Sequence, residues 1–369
     1  MEKQKVRLIA FFLPQFHPIP ENDEWWGKGF TEWVNVKKAK PLFPGHYQPH
    51  IPGELGYYNL CDHSAREAQA SLAREYGIHG FCYYHYWFNG RCLLGHPFDE
   101  VLSSGKPDFP FCLCWANENW TRRWDGRDKD ILIEQRYSEM DDKEHIRWLM
   151  KAFKDDRYIR VNGKPIFLVY RANRIADPVR TTSIWREEAR CAGIGELFLC
   201  KVESFPDEFD LPGRLGFDAA VQFHPTIRGV SFLRRFLSRS KGLVSLLGFN
   251  SGYLNNGIYC YDDYVRRIMS ICEPAYKEFP CVMPGWDNSP RRRKNATIFI
   301  HNTPETYGRW LKSAIESSLK SFQGSERLVF INAWNEWGEG NHLEPCQKWG
   351  RAYLEATRDA VLKFSEQQK

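Results

Sequence analysis

LVFINAWNEWGEGNHLEP, residues Leu328 to Pro345, carries an apolar run, Val329 to Ala333, straight into Trp334, Asn335, Glu336, Trp337, Gly338, Glu339 and Gly340. A short continuous apolar run of this kind reads as a buried strand, so a strand delivers two carboxylates onto a glycine-loosened turn. Glu336 and Glu339 are three residues apart. A helical turn after Ala333 would place both on one face, roughly 5 to 6 Å apart at Cβ. Two carboxyls facing one site are what glycoside hydrolysis needs, one to move a proton and one to attack or assist. Trp334 and Trp337 suit this, because the apolar C–H faces of sugar rings pack on indole. The competing reading is a solvated turn with two surface glutamates and a core tryptophan. The strand before the turn and the bracketing Trp and Gly favour the first.

Seven more runs of strand type precede this one: Val6 to Leu13, Ile78 to Tyr84, Pro110 to Trp115, Pro165 to Tyr170, Glu196 to Val202, Phe217 to Phe223 and Pro280 to Pro284. Helical patterns lie between them. Ser64 with Glu67 has the form of a capping box and Gly77 supplies a stop. Thr181 to Ala192, Tyr259 to Cys272 and Tyr353 to Phe364 read as helices, and Thr303 with Pro304 opens another. Strand and helix alternate throughout, which predicts an α/β fold with a parallel sheet, and eight units predict closure into a (β/α)8 TIM barrel. The expected organisation is one domain over residues 1–369 with inserted loops at 14–62 and 225–257. A doubly wound open sheet is the alternative, but no G-x-G-x-x-G or Walker loop follows the first strand.

In such a barrel all strand ends lie on one face, where barrel enzymes hold their active sites. Polar and aromatic residues gather there: Gln15 and His17 after the first strand, Tyr84, His85, Tyr86 and Trp87 after the second, Trp115, Asn117, Glu118 and Trp120 after the third. Arg171 follows the fourth, Glu203 the fifth, Gln222 and His224 the sixth, and Trp286, Asp287 and Asn288 the seventh. Taken singly, each His is more often a structural hydrogen-bonder than a ligand. Together they are expected to line a wall, with Trp33, Asn335 and Trp337 added from the flanking loops. The run Arg291 to Lys294 reads as a solvated loop with an accessory role at most.

Composition narrows the function further. The chain has 369 residues, 43% hydrophobic and 26% charged, as expected of a soluble globular protein. Aromatics reach 15%, with 14 Trp, which suits a flat-faced ligand as well as a core. The net charge of +5 is spread along the chain, so nucleic acid is not implied. The 11 Cys show no disulfide or metal framework; Cys112 and Cys114 read C-x-C without a second pair. No cofactor or metal is expected. Without a leader pattern or a membrane-length run, the expected compartment is the cytosol. In the loop at 225–257, basic residues such as Arg228, Arg234, Arg235 and Lys241 alternate with Phe232, Phe236 and Leu243. The segment 228–249 reads either as a peripheral contact with the inner membrane or an acidic glycan, or as an inserted helix packed on the barrel.

With these residues placed, the sequence resembles the WbsX-like group, the glycoside hydrolase family 99-like domain of bacterial surface-polysaccharide loci. The resemblance rests on FFLPQFHPIPENDEWWGKGFTEW (Phe11 to Trp33), HYQPHIP (His46 to Pro52), GFCYYHYWF (Gly80 to Phe88), WANENWTRRWDG (Trp115 to Gly126), PGWDNSPR (Pro284 to Arg291) and NAWNEWGEGNHLEP (Asn332 to Pro345). It implies a (β/α)8 barrel, no metal, and action on a carbohydrate. The related endo-α-mannosidases carry an E-x-x-E pair at the end of the last strand, which Glu336 and Glu339 match. By that resemblance Glu336 acts as a base on the sugar 2-hydroxyl and Glu339 as the acid, through a 1,2-anhydro sugar with net retention. That division calls for a low pKa at Glu336 and a raised one at Glu339. The chain departs from the group at Gln222, where an acidic residue often stands.

Three readings compete: a retaining, endo-acting glycosidase on a surface polysaccharide or its precursor; a glycosyltransferase of O-antigen or capsule synthesis; and a non-catalytic glycan-binding barrel. A transferase would show a nucleotide-sugar site. Asp128 and Asp130 do read D-x-D, but within a charged run that no apolar strand leads into. Oligomeric state is not legible. The membrane reading predicts that deleting Ser231 to Leu247 releases the protein from anionic lipid vesicles in a sedimentation assay; unchanged partitioning would refute it.

Overall fold

Runs of branched and aromatic residues become the staves of a parallel barrel. The computed structural model describes residues 6–122, 127–226, 252, 255–292 and 295–366. The barrel strands are β1 (Arg7–Phe12), β2 (Ile78–Phe88), β3 (Phe111–Trp115), β4 (Lys164–Val169), β5 (Phe198–Glu203), β6 (Ala219–Gln222), β7 (Glu278–Phe279 and Cys281–Val282) and β8 (Leu328–Ile331). Each overlaps an expected run, although the first half of β7 lies just ahead of the run Pro280 to Pro284. Pro280 has no N–H and interrupts β7. The half before it pairs with β6 and the half after it with β8, while Pro280 still accepts the N–H of Phe330 at 2.9 Å. With β8 also pairing β1 in parallel, Leu328 opposite Arg7, the ring closes.

Helices fill the crossovers: α1 (Pro20–Trp26), α2 (Glu32–Lys38) and α3 (His63–Glu75) after β1, α4 (His96–Ser104) after β2, α5 (Glu139–Phe153) after β3 and α6 (Pro178–Cys191) after β4. Then come α7 (Tyr261–Met269), α8 (Pro304–Ser321) and α9 (Ala352–Glu366). Thr303 caps α8 by accepting the N–H of Thr306, as its sequence predicts. The capping box expected at Ser64 does not form, because α3 starts two residues earlier with Asp62 at its cap. The D-x-D run lies in a hairpin, Arg127–Ile133 against Trp120–Arg122, with Asp130 exposed. The segment 228–249, and with it the membrane reading, lies outside the described residues. Among the described residues no helix is long and apolar enough to cross a membrane. All 11 cysteines are free.

Strand parity decides what can face a ligand. The ring of Phe11 lies 5.6 Å from Tyr84, 5.3 Å from Phe223 and 5.7 Å from Phe330, so these side chains meet inside the barrel. Side chains alternate along a strand, so Tyr86 also points inward, whereas His85 and Trp87 point toward the helices. Near the floor, β2 passes so close to the start of β3 that a Cβ on Gly80 would sit 2.5 Å from the carbonyl oxygen of Pro110 and 2.8 Å from Ile159. Gly80→Ala is therefore expected to cost about 1 to 3 kcal/mol, read as a lowered denaturant midpoint; an unchanged midpoint would show that β3 can give way.

Candidate active site

Beyond β8 the chain forms a tight hairpin. Asn335–Glu336 pairs antiparallel with Asn341–His342, and Trp337–Glu339 makes one 3-10 turn between them. The expected α-helical turn is thus absent. Glu336 closes the strand before the turn and Glu339 ends the turn, and both carboxyls nevertheless reach the same partner.

What brings the two carboxyls together is Arg291. Its Nη2 donates to Glu336 Oε2 at 2.9 Å, its Nη1 lies 2.8 Å from Glu339 Oε1, and its Nε donates to Glu32 Oε1 at 2.8 Å. Both carboxyls are thus held within hydrogen-bond reach of one guanidinium. The side chain of Glu32 is fully buried, that of Glu336 is 6% exposed and that of Glu339 20% exposed. Arg291 therefore overturns the reading of its run as a solvated loop. Gly338 makes the arrangement possible: a Cβ there would stand 1.9 Å from Glu32 Oε1 and 2.8 Å from Arg291 Nε.

Burial pushes the Glu336 carboxyl up to about 8; Arg291 opposes the shift, and the negative charges of Glu339 and Glu32 add to it. A low pKa at Glu336, expected from sequence, is not what this environment gives. Glu336 shares one cation with two other acids largely away from water, and this burial favours its protonated form. Tyr84 and Tyr86 stand close by, their phenols held protonated by burial and then by Glu336. Gln15 donates to the Tyr86 hydroxyl at 3.0 Å, and Trp120 packs on the Tyr86 ring at 5.4 Å. Tyr170, at the end of β4, meets Tyr84 at 6.4 Å and feels Glu118 and Glu339.

Several predicted residues brace this mouth without lining it. Asn335 accepts the N–H of Leu13 at 2.7 Å and donates to Leu13 O at 3.0 Å. Trp337 donates to Glu344 and stacks on His342 at 3.7 Å; Trp33 packs on Trp337 and donates to Tyr58 O. Asp287 accepts from His46 and Gln48, and its own N–H donates to Glu339 O at 2.6 Å. These bonds hold the Asp287 carboxyl below the usual range despite burial. Trp286 is half-buried beside it. Asn117 exchanges two bonds with the backbone of Arg171, whose guanidinium is taken by Glu208 and Glu118.

Other predicted residues face the helices. His85 contacts His145 at 3.0 Å and stacks on Trp148, and burial lowers it to about 3. Trp115 packs on His145 and Trp185. His17 is buried near His96, and burial lowers it to about 4. Glu203 pairs with Lys201 at 2.6 Å and with the Tyr276 hydroxyl, on the outer side of the wall. It lines a separate cavity of about 210 Å³ together with Gln222 and His224. Gln222 donates there to Glu278, and His224 bonds Tyr264, so the departure from the group at Gln222 lies away from the acids. Sequence reasoning missed Glu32, Tyr170 and Arg291 as site residues. Parity along β4, in phase with inward-facing Leu168, would have found Tyr170. Among the described residues no His, Cys, Asp and Glu group is arranged to hold a metal ion.

Residues 8–357 match the family model described as "Glycosyltransferase WbsX". Proteins named WxcX from two strains of Xanthomonas campestris pv. campestris are 42% identical over 364 residues, covering 98% of this chain. The chain spans about half the length of these curated relatives. Among solved structures, a "Glycoside hydrolase-like protein" aligns with a TM-score of 0.61 at 15% identity, over 98% of this chain and 95% of that one. The GH99 endo-alpha-mannosidase from Bacteroides thetaiotaomicron aligns with a TM-score of 0.57 at 14% identity, over 98% of both chains. At these identities the likeness speaks to the fold, a glycosidase-type barrel.

Gly338→Ala is expected to displace the Glu32–Arg291 pair and to destabilise the protein by about 1 to 3 kcal/mol. Thermal unfolding checks this, and an unshifted midpoint would mean that the pair can move aside freely.

Proposed function

The chain belongs to the WbsX family, and from that premise we propose that it is a retaining, endo-acting glycoside hydrolase of a bacterial surface polysaccharide or its precursor. The observation that carries this is the meeting of Glu336 and Glu339 on one guanidinium at the mouth of a barrel walled by Tyr84, Tyr86 and Tyr170. In the first step the Glu336 carboxylate takes the proton of the sugar 2-hydroxyl. The freed oxygen attacks the anomeric carbon, and the departing glycosidic oxygen takes a proton from Glu339. Glu339, now a carboxylate, removes a proton from water, which opens the 1,2-anhydro ring at the same carbon as Glu336 returns its proton to the 2-oxygen. Two inversions leave the configuration retained.

The raised Glu336 departs from the low value that this division of roles calls for, but it still allows the role. A base whose pKa lies near the working pH is ionised in a useful fraction and is also strong enough to pull on a sugar hydroxyl. Trp120 at the rim and the tyrosines offer apolar faces to the rings of a glycan, and Gln15 and Glu118 offer polar contacts. The family description favours one other reading, transfer from a nucleotide sugar.

Two outcomes are expected. Glu339→Gln loses turnover by about 100-fold or more while glycan binding is kept; a wild type inactive on every purified surface polysaccharide and lipid-linked precursor would favour a binding barrel instead. Reducing ends appear without a nucleotide donor, and kcat/KM climbs as pH rises toward about 8, where Glu336 becomes ionised. A strict requirement for a nucleotide sugar would point to transfer.

A further inference from the structure

A fully buried carboxylate that gains a single charged hydrogen bond is an expensive component. Glu32 is one: α2 carries it beneath the hairpin, its Oε1 bonds Arg291, and its Oε2 is buried without a hydrogen-bond partner among the described residues. The hairpin gives up a side chain at Gly338 to admit it. Packing alone would be better served by an apolar residue of the same size. Among the described residues, the groups that face Glu336 are Arg291 from the loop after β7, Glu32 from α2, Glu339 from its own hairpin, and the phenols of Tyr84 and Tyr86 from β2. Of these, only Arg291 carries positive charge.

We propose that Glu32 and Arg291 are positioning residues that set the ionisation of Glu336, Arg291 drawing off its proton and Glu32 anchoring Arg291 while moderating its pull. The inference rests on the reading of Glu336 as the base of a glycosidase. A sugar entering the mouth strips water from Glu336 and would leave it protonated, unable to accept the 2-hydroxyl proton. The Nη2 of Arg291, aimed at Glu336 Oε2, keeps the charged form accessible. Glu32 prevents the opposite excess. Without it the guanidinium would hold Glu336 as a strongly stabilised carboxylate and a poor base. Neither residue needs to touch the substrate to act this way.

The test reads Glu336 directly and needs no substrate. Protein labelled with 13C at the glutamate side-chain carboxyl is titrated by NMR across the neutral range, the Glu336 signal being identified by its absence in Glu336→Gln. Arg291→Gln is expected to raise the titration midpoint by about one pH unit or more, and Glu32→Gln to lower it by a comparable amount. Arg291→Lys, which keeps the charge, stays near the wild type. Circular dichroism establishes that each variant is folded, and Glu32→Gln, whose midpoint must fall, keeps the test decisive if Arg291→Gln is not. Midpoints that do not move, or that move the same way in the Glu32 and Arg291 variants, overturn the proposal, because a purely structural pair has no reason to act in opposite senses. Full turnover by Glu336→Gln would remove the base role itself and leave the titration result standing, so the two failures are distinguishable.

Discussion

The side-chain amide of Asn335 spends both of its ends on the backbone of Leu13, accepting the N–H and donating to the carbonyl. Leu13 follows the first strand and Asn335 follows the last, so this pair of bonds staples the two exits of the ring where it closes. The backbone adds to the staple, since Trp334 N–H reaches Phe11 O at 2.8 Å. The hairpin that begins at Asn335 is therefore fixed relative to β1, and so relative to the loop that carries Glu32. A glutamate pair at the end of an unanchored strand would sample many orientations. Here the next side chain along, Glu336, inherits its direction from the seam.

Once placed, the acids are governed by charge in a dry environment. One guanidinium faces three carboxylates, and water is too scarce to screen them. The cluster holds together because each acid takes a different nitrogen of Arg291, so no two compete for one donor. The same scarcity of water raises Glu336. Rigidity and the raised proton affinity of Glu336 thus come from a single arrangement.

Most of the scaffold was legible in the sequence, because buried parallel strands are continuous apolar runs and eight of them alternate with helical patterns. The E-x-x-E turn was also legible, though as a helix and not as a hairpin with a 3-10 turn. What the runs do not reveal is phase. His85, Trp115, Glu203 and His224 sit at strand ends, as the barrel rule requires, yet each points into the helix layer, and a continuous apolar strand offers no polar alternation from which to tell in from out. Arg291 escaped for a different reason. A cluster of like charges normally reads as solvated, and nothing local announces that one member reaches acids placed 45 and 259 positions away.

Asp287 ties His46 and Gln48 of one loop to the backbone of Glu339 in another, while standing four residues before Arg291 in a third. The excursions after the first, seventh and eighth strands are in effect one part made from three separate stretches of chain. In evolution such a part cannot be traded piecemeal. Relatives that diverge in what they recognise should differ in all three stretches together.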